Sequence, residues 1–292
     1  MARWMLFFCL MLGAVVVRAD ERVFYQPLNV DASLSQAQWQ QIWQDTARQG
    51  ISTVIVQWTA YGDSDFGGAS GWLANSLKLA REQGLQLVLG LKMDSAYYQR
   101  IDELDTAGLA TYWQAQLGQS LAQQQTLRKD WKLPVSGWYL PMELDDFHFL
   151  ATDRRATLQR QLKAFAGKLD APLHISAFSA GKLAPTVNGQ WLGELNGTDV
   201  QVWWQDGAGT GKLSPLVRDG YASALPCSVG IVREAFRQVS AEGQPFRAEP
   251  AVPDAASTGC HVSAVFSLRY RPWARVILDN QRKQQGSNVQ TR

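Results

Sequence analysis

Short apolar runs recur along this chain, and nearly every one is followed at once by polar or aromatic residues and then by a stretch with helical spacing. Runs of this kind, rich in β-branched residues and too continuous to alternate, predict parallel strands buried on both faces. They fall at 23–27, 53–58, 85–91, 135–140, 173–177, 199–205, 228–233 and 261–268. Between most of them lie helical patterns, at 35–49, 72–83, 107–128, 153–169 and 214–224, with Gly50 and Gly84 placed to end the first two. About eight strands alternating with helices predict the α/β class and a single (β/α)8 barrel over residues 20–278. A less regular segment around Pro185 and Gly189 is expected between the fifth and sixth strands, and the polar residues 279–292 are expected to form a disordered tail.

A barrel of this kind keeps its chemistry at the carboxyl ends of its strands, so the residues just beyond each run become candidates. The fourth run reads Gly137-Trp138-Tyr139-Leu140 and meets Pro141, which cannot donate to a sheet ladder; the strand is expected to stop there and to present Glu143 at its mouth. The seventh ends at Glu234. Glycoside hydrolysis uses two carboxyl groups, one protonating the leaving oxygen and one attacking the anomeric carbon or activating water. Strands four and seven face each other across a closed barrel, so Glu143 and Glu234 form the candidate catalytic pair. The plainer alternative is that Glu143 caps the following turn and Glu234 opens a solvent-facing helix over 234–239.

Around this pair, Gln26, Asn29, Trp58, Tyr61, Lys92, Tyr139, Asp145, Asp146, Trp204, Gln205 and Asp206 all fall at or beside strand ends and are candidates to bind sugar. Aromatic faces stack on the apolar faces of sugar rings, though strand alternation must send some of these rings to the helix layer. Asp145, Asp146 and His148 match no metal motif, so no metal and no cofactor are expected. The glycine-rich stretch 207–212 lacks the spacing of a phosphate-binding loop, and no G-x-S-x-G surrounds a serine.

The amino terminus carries Arg3, an apolar run over 4–17 and Val17-Arg18-Ala19, a pattern that predicts a secretory signal over residues 1–19 and a periplasmic or secreted protein. The run is shorter than the roughly 20 residues that span a bilayer, so no membrane insertion is expected after cleavage. The chain has 28 Lys and Arg against 26 Asp and Glu; removal of Arg3 and Arg18 leaves 26 against 26. Without a basic excess or a Lys/Arg-rich block, nucleic acid is not an expected partner. The two cysteines beyond the signal, Cys227 and Cys260, are either free thiols or, as export favours, a disulfide.

In combination, Phe24-Tyr25-Gln26-Pro27-Leu28-Asn29, Gly137-Trp138-Tyr139-Leu140-Pro141 with Glu143, Asp145 and Asp146, Gln205-Asp206-Gly207 with Gly209, and Glu234-Ala235-Phe236 resemble a DUF4434-like family of exported bacterial barrels related to the glycoside hydrolases. The resemblance spans most of the chain. It implies kinship with retaining barrel glycosidases, whose acid/base glutamate follows strand four and whose nucleophile follows strand seven, the positions of Glu143 and Glu234. Met142 stands where that clan usually carries Asn. The expected function is an exported hydrolase of a polysaccharide or oligosaccharide. The alternative is a non-catalytic carbohydrate-binding barrel that assists exopolysaccharide export.

Overall fold

The computed structural model describes residues 21–197, 199–241, 243–253 and 259–290. The expected signal segment, 1–19, lies outside them. Eight parallel strands close a barrel: β1 (Glu21–Tyr25), β2 (Ile51–Val56), β4 (Gln86–Gly90), β6 (Gly137–Asp145), β7 (Leu173–Phe178), β8 (Val200–Gln205), β9 (Gly230–Glu234) and β12 (Ser263–Phe266). β12 pairs with both β1 and β9 and completes the ring. Two short additions extend the carboxyl-end rim. They are the parallel pair β3 (Ala60–Tyr61) and β5 (Lys92–Met93), and the antiparallel hairpin β10 (Phe236–Gln238) and β11 (Ala248–Pro250). No helix among the described residues is long and apolar enough to cross a membrane.

The helices α1 (Gln36–Arg48), α2 (Trp72–Glu82), α3 (Tyr97–Glu103), α4 (Thr106–Thr126), α5 (Thr152–Ala166), α6 (Pro185–Leu195), α7 (Pro215–Ala224) and α8 (Arg275–Gln290) accompany the strands. Local chemistry sets several of their ends. Ser35 and Gln38 form a reciprocal capping box at the start of α1, and Gly50 and Gly84 adopt the positive φ that stops α1 and α2. The segment around Pro185, expected to be irregular, is helical because proline at the first helical position lacks only an N–H that would have no partner there.

The segment from 279 begins within α8, where the Asn280 amide donates to the Val30 carbonyl and to Ser33 Oγ and so ties the helix to the turn 29–33 that follows β1. Beyond β9 the chain forms β10, not the helix over 234–239 of the plainer alternative, and the eighth strand is confined to Ser263–Phe266.

β6 does not stop at Pro141. It runs on to Asp145, with a register shift against β7 between Leu140 and Leu144. The proline sits in that irregularity, where no ladder hydrogen bond is asked of it. The consequence is that Glu143 is held by the strand itself.

Strand alternation divides the core in two. Phe24, Ile55, Val88, Tyr139, Trp203, Val232 and Ala264 fill the barrel interior, while Val23, Tyr25, Trp43, Val54, Trp138, Trp204 and their neighbours pack under the helices. Residues two positions further along share the inward face. That rule carries Gln26, Gln57, Gln205 and Glu234 to the mouth above the interior layer, and the shift in β6 brings Glu143 to the same level.

Cys227 and Cys260 form a disulfide, with Cα atoms 5.3 Å apart. Each lies three residues before a strand, β9 and β12, at the amino-terminal end of the barrel.

Candidate active site

Glu143 and Glu234 reach the same mouth, and the end of β8 touches both. Gln205 closes that strand, and its Nε2 donates to Glu143 Oε1 at 2.9 Å and to Ser176 Oγ at 3.2 Å. Four residues on, the loop that follows β8 turns back, so that the N–H groups of Gly209 and Thr210 donate to Glu234 Oε2 at 2.6 and 3.3 Å. Gly209 has to be glycine here. A Cβ would lie 2.5 Å from the Phe236 carbonyl oxygen, 2.7 Å from the Phe236 ring and 2.9 Å from Glu234 Oε2. Asp206 accepts from the N–H groups of Ala208 and Glu234, which fixes the start of that loop against β9.

Both carboxyls are pushed away from ordinary acidity. Glu143 is raised by burial and, more weakly, by the charge of Asp145, against the opposing hydrogen bonds from Tyr98 and Gln205. Glu234 is raised to about 7, first by burial, then by the charge of Asp206; the Gly209 and Thr210 amides oppose the rise, and the charge of Glu143 adds to it.

Two residues of the site escaped the sequence reading. Tyr98, on α3, donates its hydroxyl to Glu143 Oε2 at 2.6 Å, and its neighbour Tyr97 donates to the Glu143 carbonyl at 2.7 Å. Ser176 shares a hydrogen bond of 2.7 Å with the Tyr139 hydroxyl. Tyr98 follows no apolar run directly, so no strand-end rule points to it. Ser176 could have been found by alternation, since it is one residue from the core positions Ile175 and Ala177 and therefore faces inward.

Other candidates have different duties. Asp145 is buried and accepts from the N–H groups of Phe147 and His148 and pairs with His148 Nδ1; His148 Nε2 in turn meets Asp102 on α3 at 2.7 Å. Burial pulls the His148 pKa down, but the hydrogen bonds to the two carboxylates outweigh it and hold it above the usual value. Asp146, also buried, is spent on the N–H groups of Ala180, Lys182 and Leu183 and on the Tyr221 hydroxyl. The adjacent carboxylates thus diverge, one tying down α3 and the other the loop after β7. Among the described residues no cluster of three or more His, Cys, Asp or Glu is arranged to hold a metal ion.

Trp204 points out of the barrel, stacked on Tyr221 and donating to Ser179, whereas its neighbour Trp203 fills the interior. Trp58 is 7% exposed and its indole N–H is taken by the Pro27 carbonyl, so it backs Tyr61 rather than facing solvent. Lys92 lines a separate cavity of about 380 Å³ with Asp63, Asp65, Gln123 and Trp131. Tyr139 lies beneath Glu143, Gln26 Nε2 donates to Gln57 Oε1 at 2.9 Å, and Asn29 accepts from Ser64 on the exposed rim.

Similar folds occur in solved structures. A Bacteroides thetaiotaomicron protein described as a candidate alpha-L-fucosidase superposes with a TM-score of 0.62 at 14% identity, covering 93% of this chain and 98% of that one. The Bacillus cereus spore cortex-lytic enzyme SleL gives 0.54 at 9% identity, covering 90% of this chain and 74% of its own. Both likenesses are to the barrel as a fold. In sequence, the uncharacterised Escherichia coli (strain K12) protein YbcH is 31% identical over 284 residues, 89% of this chain and 93% of that protein. A family model described as "Domain of unknown function (DUF4434)" matches residues 22–253, and the chain belongs to that family.

Proposed function

We propose that this chain is an exported glycoside hydrolase that cleaves a polysaccharide or oligosaccharide with Glu143 as general acid/base and Glu234 as nucleophile or base. One observation carries the reading: two inward-facing carboxyls at the carboxyl-end rim, each raised in pKa, are held by Gln205 at the end of β8 and by the loop that follows it. Such placement suits a reaction that needs one protonated and one ionised carboxyl at neutral pH. Glu143, its pKa raised by burial, is placed to give a proton to the glycosidic oxygen as the C–O bond breaks. Glu234, near its midpoint at neutral pH, supplies the carboxylate that attacks the anomeric carbon or takes a proton from water. Gln205 and Tyr98 orient Glu143, and the backbone of Gly209 and Thr210 orients Glu234. The disulfide supports an oxidising compartment.

The test is release of reducing ends by the protein, expressed without residues 1–19, from bacterial exopolysaccharides and plant glucans, beside Glu143→Gln. Release that disappears in the variant establishes the hydrolase. Equal binding of one polysaccharide by both proteins, with no release by either, replaces it with a carbohydrate-binding barrel.

A further inference from the structure

Among the described residues four aromatic rings are substantially exposed: Tyr61 (39%), Tyr98 (46%), Phe147 (52%) and Phe246 (54%). All four belong to segments that follow the carboxyl end of a barrel strand. Tyr61 is in β3 beyond β2, Tyr98 in α3 beyond β4, Phe147 beyond β6, and Phe246 in the loop joining β10 to β11 beyond β9. The later helices, by contrast, expose only aliphatic side chains, such as Val187 on α6 and Leu216 and Val217 on α7. Rings of this size ordinarily contribute their area to a core, so their confinement to one face indicates a ligand for that face.

Each ring is held separately. Tyr61 packs on Trp58 at 4.9 Å between centroids, Tyr98 on Tyr97 at 5.2 Å, Phe147 on His148 at 4.9 Å with the Lys182 ammonium over it at 5.7 Å, and Phe246 edge-on to Phe236 at 5.6 Å. Polar pairs occupy the same end of the barrel: Asn29 with Ser64, Gln26 with Gln57, and His148 with Asp102. Separate aromatic faces and hydrogen-bonding groups on one end suit ligands that present an apolar face and a polar edge at regular intervals, as successive sugar rings do.

The rings also flank both carboxyls. Tyr98 donates to Glu143, while Phe246 packs on Phe236, whose ring and carbonyl abut the Gly209 that holds Glu234. A site for one terminal sugar would need a platform on one side only. We infer that the mouth takes an extended glycan chain, lying across both carboxyls and stacked at several sugar units by Tyr98, Phe147, Phe246 and Tyr61, so that the protein engages internal positions of a polymer. Engagement of the chain stands on the rings; cleavage within it rests on the hydrolase reading.

Affinity gel electrophoresis of Glu143→Gln protein in gels containing alginate, poly-N-acetylglucosamine, mixed-linkage glucan or xyloglucan separates the two. We expect retardation by at least one polymer and no competition by its monosaccharide. Phe147→Ala and Phe246→Ala, each made in that background at a ring more than half exposed, should each weaken retardation about tenfold, in line with what one stacked ring contributes. Wild-type protein should lower the viscosity of that polymer well before reducing ends accumulate. Retardation by none of the polymers, full competition by the monosaccharide, or unchanged retardation in both ring variants would overturn the extended-chain inference. Retardation that behaves as expected while wild-type protein releases no reducing ends would overturn the hydrolase alone.

Discussion

The two carboxyls of the mouth are held in opposite ways. Glu143 is half-buried and grasped by side chains, Tyr98 from a seven-residue helix and Gln205 from a strand end. Glu234 is 6% exposed and seated on backbone N–H groups that glycine alone allows to come so close. Side chains on separate elements can be repositioned by whatever binds above them, whereas a backbone seat is fixed once the loop folds. The contrast suggests a carboxyl that adjusts to the substrate facing one that does not, which suits a proton donor opposite a nucleophile or base.

The sharpest way to break this contrast is to remove each acid in turn. Glu143→Gln keeps an acceptor for Tyr98 and should lower kcat by about 10²- to 10⁴-fold, the usual contribution of a positioned general acid, with little change in thermal midpoint. An equal loss of stability would mean that Glu143 is a structural group.

Glu234→Gln should do more to stability. The ordinary value of this carboxyl is 4.5 and the folded value about 7, so the folded state binds the extra proton between them. Wild-type stability is therefore unpenalised below about pH 4.5, falls as pH rises from there to about 7, and stays lower above. The shift corresponds to at most about 3 kcal/mol. Urea unfolding from pH 4 to 8 should show the variant gaining on wild type across that window, and a constant difference would contradict the assignment.

Gly209→Ala attacks the backbone seat itself. Forcing a methyl group against Phe236 and Glu234 should cost about 1–3 kcal/mol, seen as a lower urea midpoint. Gly211→Ala has open space around its Cβ and positive φ only, and should cost about 1 kcal/mol, the low end for a side chain in that conformation. Tyr98→Phe is the mildest change. It removes one donor to Glu143, so the Glu143 pKa rises further and the alkaline limb of the pH–rate profile moves up, with kcat reduced by a small factor and folding unchanged. A limb that moves down would show that Tyr98 does not favour the ionised form.

How far this site is legible before folding depends on whether a residue's role is set by its own strand. Glu143 and Glu234 can be read because a carboxylate after an apolar run has few places to go in a parallel barrel. Trp203 and Trp204 cannot be separated by composition: both are large and apolar, and only strand phase sends one inside and the other under α7. Asp145 and Asp146 look alike as acidic rim residues, yet their acceptors are consumed by backbone N–H groups, a partnership that exists only after the loops close. Tyr98 arrives from α3, which folds over β6 and is fastened there by the Asp102–His148–Asp145 chain. Pro141 misleads in the other direction, because a proline ends a strand only where the ladder needs its N–H.

The Cys227–Cys260 bridge gives the molecule a gradient along its axis. It spans 33 residues of sequence and ties the entrances of β9 and β12 at the end of the barrel away from the mouth, around the interval where a hairpin stands in place of an outer helix. Closing a loop of that length contributes about 3–4 kcal/mol in the chain-entropy model. Amide protons near the two cysteines should therefore exchange at rates close to the global limit while the β10–β11 hairpin exchanges by local opening. Reduction should erase that difference in β9 and β12 first and leave β6 to β8 protected.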